Sequence, residues 1–598
     1  MSVPPNASGV TYTPDIVPST EWSRDLTQIR ETGLRVVRSG EFIWSWIEPE
    51  PGKFDLDPFH RYLDELEAVD LKLVLATPTA TPPPWLDRII PDARMQTLSG
   101  EPFMGFREFA CRNHPGVLER MERMVTTLAE AVRDRSCLIG WQLDNEPHYG
   151  DGASLRSIQG LLDFHPYAWT SFVAWMKQQV EQPEQLDDRW VAGFWSQRLR
   201  HWEDLQPSVV VNNPQARLDW MRWRDRNLAD HLRDQLGWIR SIIPDHPIGT
   251  NLPSCGLREQ VLLGIDPVDQ CRELDWVGGD VYGADGNRED DLARISALTD
   301  LHRSSAVGKP FLIAEAQGSP HERVHFNFFA TQHFPPEDLE EVWTRTAQHG
   351  AESLWWFQWR GPEGGIECGM NGLAGVKGVE TDYTRKAREL AAGSMAKVRK
   401  EFKIRPQVLL AVHRDSLRAL AWRPELLDHA EQAFLGWHRL LEDAGFRVDV
   451  READQWDQDP ELPLILYRAP LLSRSEREIL ARREGGLWCH ADTGFYDEQG
   501  RRRPDPDCPL LKRQGIHWGP WHDHPSPEPA EGWPKSHAFR DLSPASGTET
   551  LLRRKDGTPC LCKSQATVTA GFCMGEAYLN DPENPSMVIE VFKLWNKT

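Results

Sequence analysis

From residue 20 to about residue 390 the chain alternates amphipathic helical stretches with short apolar runs, and that alternation confines it to a parallel α/β architecture. Helices are predicted at 21–32, 58–69 and 114–134, and strands at 34–38, 71–76, 137–143, 248–252, 276–281, 310–314 and 353–359. Seven such strands with helices between them predict a (β/α)8 TIM barrel. An open sheet is disfavoured because no glycine-rich phosphate loop follows the first strand.

At 598 residues the chain exceeds what one core serves, so a second domain is expected. The barrel is assigned to 1–395, with an insertion at about 151–215 that is rich in Trp and Gln and has no clear strand. Residues 396–598 read as a smaller doubly wound α/β domain, flavodoxin- or amidotransferase-like. Its strands are predicted at 407–413, 446–450, 462–467 and 485–491, and its helices at 425–444 and 476–483, with Ser475 placed to cap the second helix. Residues 500–545, rich in Pro, His and Arg, read as loop, and 564–579 read as late strands.

A formal charge of −22 argues against a polyanionic partner, so nucleic acid is excluded and a neutral partner favoured. No apolar stretch approaches the roughly 20 residues that span a bilayer. The N-terminus MSVPPNASGVTYTP has no basic segment followed by an apolar one, and the 10 cysteines are scattered singly. Both observations lead to the expectation of a cytoplasmic protein with reduced thiols and no membrane contact.

Two of the strands deliver carboxylic acids where they stop. LIGWQLDNEPHY (138–149) ends in Asp144, Asn145 and Glu146, and KPFLIAEAQG (309–318) ends at Glu315. A parallel-barrel enzyme places its reacting groups at such strand ends. Two glutamates so placed are what a glycosidase needs, one to protonate the leaving oxygen and one to attack or to activate water. A lone glutamate at a strand end is more often a helix-cap partner or a surface ion pair, but that account requires both motifs to be accidental. Pro147 restricts Glu146 to an extended backbone, which suits a strand end. The 26 Trp residues are mostly core material, although Trp44, Trp46, Trp85, Trp141, Trp355, Trp356 and Trp359 lie beside these motifs, where indole rings can stack on sugar C–H faces.

The motifs taken together resemble glycoside hydrolase family 42, best known as β-galactosidases. The series is VVRSGEFIWSWIEPEPGKFD (36–55), ATPTATPPPWL (76–86), GFREFACRNHP (105–115), IGWQLDNEPHYG (139–150), LDWVGGDVYG (274–283), FLIAEAQG (311–318) and GAESLWWFQWRGPEGGIE (350–367), all in the family's order. The resemblance implies a retaining exo-β-glycosidase, with Glu146 as acid/base, Glu315 as nucleophile and no cofactor. It implies substrate contacts from Arg38, Arg107, Asn145, Tyr282, Trp356 and Glu367. Arg38 has a rival reading as a buried structural ion pair with Glu41 or Asp144, and Tyr282 as plain core packing. Strand alternation puts Trp355, Phe357 and Trp359 on one face and Trp356 and Gln358 on the other. The second domain resembles the family's trimerisation domain, with the C-terminal β region reduced, so a homotrimer is expected.

Three departures from the family pattern stand out. Met370 occupies the position of a family His three residues after the sugar-binding Glu. The Asn–Trp pair that follows the family's nucleophile is replaced by ERVHFNFF (322–329), in which Asn327 and Phe328 come late. Both fall where the glycone is recognised, and His321 or His325 could supply the missing imidazole. Some members bind zinc through four cysteines; Cys111 matches one, but no cysteine lies between Cys137 and Cys255, so no such zinc site is expected. The alternatives are therefore the same mechanism on another glycone (an α-L-arabinopyranoside, a β-glucoside or a modified plant or algal oligosaccharide) or a catalytically retired barrel that binds sugar.

Overall fold

The computed structural model describes residues 8–150, 162–283, 288–323, 333–401, 405–502, 508–522 and 539–580. The chain divides into two compact units: Met1–Ser171, Asp225–Cys255 and Leu263–Lys403 form the first, and Phe172–Arg224, Gly256–Leu262 and Ile404–Thr598 the second. The segment read as an insertion is thus shared between them. No described helix is long and apolar enough to cross a membrane.

In the first unit eight parallel strands close in sequence order: β1 Gly9–Thr11, β2 Val36–Ser39, β3 Lys72–Ala76, β4 Leu138–Gln142, β5 Ile248–Leu252, β6 Trp276–Val281, β7 Phe311–Gln317 and β8 Leu354–Phe357. The strand that the sequence pattern lacks is β1, whose three residues are too few to show a period. It pairs with both β2 and β8 and so completes the ring. Gly9 makes that approach possible, because a Cβ there would stand 2.5 Å from Trp355 Cδ1 and 2.8 Å from the Val36 carbonyl oxygen.

Val36, Val74, Trp276, Leu312, Ala314 and Trp355 pack together as an apolar layer. Trp276 and Trp355 meet edge to face at 5.9 Å. Two residues further along β2, on the same face by the strand period, stands Arg38. At β7 the register slips against both neighbours, so that Asp280 of β6 comes opposite Glu315 and Ala314 is passed over. Ala314 can then stay in the apolar layer while Glu315, the next residue, also turns inward. The slip also carries β7 three residues beyond the predicted end at 314.

Amphipathic helices cover the barrel as the periodicity predicts. The helix Pro115–Val132 starts at a proline, is capped by His114, whose Nδ1 accepts from the Gly116 amide at 3.1 Å, and buries Val117, Met121, Met124, Val125 and Leu128 on one stripe. Trp46 belongs to this helix layer, packed against Trp22 and Phe59 rather than near the carboxylates.

The second unit is built on a seven-stranded sheet in the order β10-β9-β11-β12-β17-β16-β15. Its parallel strands are β9 Val408–Val412, β10 Val448–Glu452, β11 Leu464–Leu466, β12 Leu487–His490 and β17 Thr567–Ala570, while β15 Glu549–Arg553 and β16 Pro559–Ser564 run antiparallel at one edge. A helix, Met574–Asn580, occupies the end of the span predicted as late strands. Residues 500–545 are not all loop: they contain the helix Pro509–Gln514 and an antiparallel pair, β13 Ile516–His522 and β14 Phe539–Pro544. The helix predicted at 476–483 begins at Arg474, because Ser473 and not Ser475 caps it. Ser473 Oγ accepts from the Glu476 amide at 3.2 Å and Glu476 returns a bond to the Ser473 amide at 2.6 Å, the reciprocal capping box.

At the carboxyl ends of β11 and β12, Arg468, His490 and Asp492 are buried together. His490 Nδ1 lies 2.6 Å from Asp492, and Arg468 reaches the same carboxylate at 3.4 Å and Cys573 Sγ at 3.8 Å. Burial alone would lower the imidazole pKa, but Asp492 and Cys573 outweigh it and raise His490 to about 9. Raised above its unfolded value of about 6.5, the group contributes stability in full below that pH and loses it as pH climbs through 9. Thermal unfolding should therefore show a falling melting temperature from about pH 6.5 to about 9, worth on the order of 3 kcal/mol. His490→Asn should flatten that limb; an equal slope in the variant contradicts the assignment.

Candidate active site

The side chains above the apolar layer, all polar except Phe357, come from seven of the eight strands or their immediate ends. Thr11 ends β1, Arg38 lies on β2, Gln142 ends β4 with Asn145 and Glu146 just beyond, Asn251 is on β5, Asp280 on β6 with Tyr282 one residue past it, Glu315 is on β7 and Phe357 ends β8. Carboxylate oxygens of Glu146, Asp280 and Glu315 lie within 4.8 Å of one another.

Arg38 is fully buried and joins most of this set. Its Nε donates to Gln142 at 2.7 Å, one Nη donates to Thr11 at 3.1 Å and to Glu41 at 3.2 Å and forms an ion pair with Glu315 at 2.9 Å, and the other Nη donates to the side-chain Oδ1 of Asn145. The ion pair with Glu41 is therefore real, yet the same guanidinium also holds Glu315; Asp144 takes no part. Tyr282 donates to the second Glu315 oxygen at 2.7 Å, so it is not plain core packing. Asn251 ties the strands together, donating to Asp280 at 2.7 Å, Asn145 at 3.0 Å and Glu315 at 3.4 Å.

Glu146 is held differently. Arg107 donates to its carboxylate at 2.7 Å and to the Asn145 carbonyl oxygen at 2.8 Å. Its backbone is not extended as Pro147 led us to expect: φ is +49° at Glu146 and +57° at Asp144, the left-handed region that non-glycine residues rarely occupy. Hydrogen bonds impose the turn. The Asp144 amide donates to Thr77 at 2.6 Å, the Asn145 amide to Asp144 at 2.8 Å and the Glu146 amide to Asn251 at 2.9 Å. Strain of this kind persists where the surroundings over-determine it.

Burial pushes Glu315 up to about 7, with the charge of Glu146 adding and Arg38 and Tyr282 opposing. Burial acts on Glu146 too, but Arg107 outweighs it and holds that carboxyl below its usual value. Asp280 is raised well above the carboxylate range by burial and by the charges of Glu315 and Glu146. The three carboxyls therefore titrate as one unit that retains a proton near neutral pH. Burial also keeps His321 neutral, its pKa lowered to about 4.

Glu367 is half-buried, within electrostatic reach of Arg107 and Glu146, and its pKa is raised by burial first. Trp356 is buried, but alternation turns it away from the face of Trp355, which belongs to the apolar layer; Phe357 takes the position beside Tyr282, edge to face at 6.4 Å. Trp44 and Trp85 pack together and both bond Glu48. His321 pairs by its backbone with Met370, and its ring lies 6.0 Å from that of Tyr282. His325, Asn327 and Phe328 fall outside the described residues. The sequence analysis assigned no role to Thr11, Gln142, Asn251 or Asp280. Their shared signal is a polar residue interrupting an apolar strand near its C-terminal end, as in IGTNL and WVGGDV.

Two of the three carboxylates of this cluster have guanidinium partners already, Arg38 on Glu315 and Arg107 on Glu146. Cys111 is buried, its thiol pushed up by burial and by Asp163, and among the described residues it belongs to no group of three His, Cys, Asp or Glu side chains able to meet one ion.

Known proteins share both sequence and fold with this chain. The profile of the family Glyco_hydro_42, described as Beta-galactosidase, matches residues 11–397. Beta-galactosidase BgaH of Haloferax lucentense is 29% identical over 370 residues, covering 59% of this chain and 53% of the relative. Beta-galactosidase BgaB of a Geobacillus species is 28% identical over 364 residues, covering 60% and 51%. The matches thus span about half the length of these curated relatives. Among solved structures, the beta-galactosidase of the Antarctic haloarchaeon Halorubrum lacusprofundi superposes with a TM-score of 0.82 at 22% identity, covering 98% of this chain and 89% of that one. The cold-adapted beta-galactosidase of Rahnella sp. R3 gives 0.83 at 20% identity, covering 98% and 89%. With the family profile covering most of its length and the fold shared from barrel to second sheet, the chain belongs to glycoside hydrolase family 42, the beta-galactosidase family.

Proposed function

We propose that the protein is a retaining exo-β-glycosidase that removes terminal non-reducing β-D-galactosyl residues, with Glu315 as nucleophile and Glu146 as acid/base. The observation that carries this reading is the pair's geometry. One oxygen of each carboxyl lies within 4.8 Å of an oxygen of the other, a close approach that fits the about 5 to 5.5 Å separation of retaining pairs. Glu315 attacks the anomeric carbon while Glu146 gives its proton to the glycosidic oxygen, and the aglycone leaves as an alcohol. Water then attacks the glycosyl ester, yields a proton to Glu146 and releases the sugar with configuration retained. Tyr282 and Asn251 donate to Glu315 and Arg38 pairs with it, and all three favour its ionised form. Asn145, oriented by Arg38 and Asn251, stands where an amide can bond the sugar 2-hydroxyl. Arg107 and Glu367, both partly exposed and within electrostatic reach of Glu146, serve the remaining hydroxyls in this reading. The second unit acts in this reading as a trimerisation domain of a cytoplasmic homotrimer.

The test is hydrolysis of nitrophenyl β-glycosides of galactose, glucose, fucose, arabinopyranose and xylose. Glu315→Ala should lower galactoside turnover roughly 10⁴-fold or more, and azide should restore it with the α-galactosyl azide as product. Glu146→Ala should cost about 10² to 10⁴-fold, and azide should then give the β-galactosyl azide. Full activity in either variant, or inverted product from wild type, sinks the assignment.

A second reading concerns the glycone. His321 lies beside Met370 and against Tyr282, neutral and largely buried, so it can take the role of an uncharged imidazole at the sugar ring. His321→Ala should then reduce galactoside kcat/KM by about tenfold, the worth of one buried polar contact, and should change the ranking of glycones. An unaltered ranking removes His321 from sugar recognition.

A further inference from the structure

Asp280 is a third carboxyl in a site whose chemistry, on the reading above, uses two. It is fully buried at the end of β6. Its Oδ2 accepts from Asn251 at 2.7 Å, whereas Oδ1, equally buried, meets no donor among the described residues. Around it stand Glu315 from β7, opposite in register, Glu146 from the turn after β4, Asn251 from β5, Tyr282 from its own strand end and Arg38 from β2. Arg38 directs its donors at Gln142, Thr11, Glu41, Asn145 and Glu315, and none at Asp280. The second guanidinium, Arg107, is engaged by Glu146.

An oxygen so placed, close to two other carboxylates and without a donor, is costly to leave charged. A proton on Oδ1 removes that cost and needs an acceptor. The Glu315 oxygens already accept from Asn251 and Tyr282 and are paired with Arg38. Glu146 accepts from Arg107 through Oε2 alone, which leaves its Oε1.

We infer that Asp280 stores the proton of the acid/base: in the free enzyme it holds a carboxyl proton hydrogen-bonded to Glu146, and it passes that proton to Glu146 once substrate is bound. The inference rests on the retaining glycosidase reading and deepens it. In the transfer the Asp280 O–H bond breaks and a Glu146 O–H bond forms; Glu146 then gives the proton to the departing aglycone. Charge is conserved through the cycle. Before reaction Glu146 and Glu315 are charged and Asp280 neutral. In the glycosyl-enzyme Glu315 is an uncharged ester, and Glu146 and Asp280 carry the two charges. Each state holds the same two negative charges beside the same two guanidiniums, and Asp280 becomes charged only when the neighbouring Glu315 charge, which disfavours it, has gone. Deglycosylation returns a proton from water through Glu146 to Asp280 as Glu315 regains its charge. Asp280 is thus a positioning and proton-storing residue that acts through Glu146 and does not touch substrate.

Asp280→Asn keeps the shape and the neutral charge but cannot yield the proton. The inference expects kcat/KM for phenyl β-galactoside, whose leaving group needs an acid, to fall about 10²-fold, while the dinitrophenyl galactoside, which needs none, changes only a few-fold. It also expects the alkaline limb of the kcat/KM profile to move down by about one pH unit, since Glu146 must then keep its own proton against Arg107. Infrared difference spectra of the free enzyme at pH 7 should show a protonated-carboxyl C=O band that Asp280→Asn abolishes, a readout available even where the variant's activity is low. Equal losses on both substrates with an unmoved alkaline limb, or a band indifferent to the substitution, overturn the inference. If wild type hydrolyses no β-glycoside, the glycosidase reading fails instead, while the infrared band still decides whether Asp280 carries a proton.

Discussion

A guanidinium sealed from water is the constraint on which the rest of the barrel mouth depends. Arg38 has no exposed surface, and it is tolerated there because every face of its donor fork meets an acceptor: an amide, a hydroxyl, a side-chain carbonyl and two carboxylates. Removing any one acceptor would leave part of a buried charge unsatisfied, which costs far more than an ordinary hydrogen bond is worth. The acceptors come from β1, β2, the end of β4 and β7. Closure of the barrel and assembly of the site are therefore one event, since the strand that supplies Thr11 is also the strand that shuts the ring.

The second device is the turn Asp144–Asn145–Glu146. Two of its three residues have positive φ, and each amide is held by a side chain: Asp144 by Thr77, Asn145 by Asp144 within the turn, and Glu146 by Asn251. The strain is bound up with position: a straight continuation of β4 would place Glu146 by strand alternation, whereas the turn sets its carboxyl beside Arg107 and within 4.8 Å of Asp280 and Glu315. The register slip on β7 does the corresponding work for Glu315. Both acids are thus aimed by departures from regular geometry, each at a strand's carboxyl end, where a barrel can bend its backbone without opening its core.

Such departures mark the boundary of what the sequence discloses. Strand existence was legible from apolar runs, and both glutamates from their place after those runs, because burial and the end of burial are written in composition. The three-residue β1 was not, since GVT carries no period. The positive φ at Glu146 was not, since the following proline argues for extended backbone and only contacts from Asn251 and Arg107 reverse it. Trp356 looked attractive as an indole near the site, yet alternation gives the place beside Tyr282 to Phe357. In the second unit, proline-rich 500–545 hid short elements, because proline punctuates a helix start such as Pro509 as readily as it marks a loop.

On the proposed reading, the division between strand ends and loops lets reaction and specificity rest on different parts of the fold. The groups that would move protons and stabilise charge stand on β2, β4 to β7 and the residues just past them, fixed by backbone pairing on both sides. His321, Glu367 and Met370 stand on the segments after β7 and β8, joined among the described residues by the His321–Met370 backbone bridge and a 2.9 Å bond from the Glu322 amide to the Gly369 carbonyl. Changing a side chain on those segments alters which hydroxyls find partners while leaving the carboxylate spacing intact. The family's reaction can thus be retained with a rebuilt glycone pocket, because the two rest on different parts of the fold and are held by forces of different kinds: buried charge in the one, local loop pairing in the other.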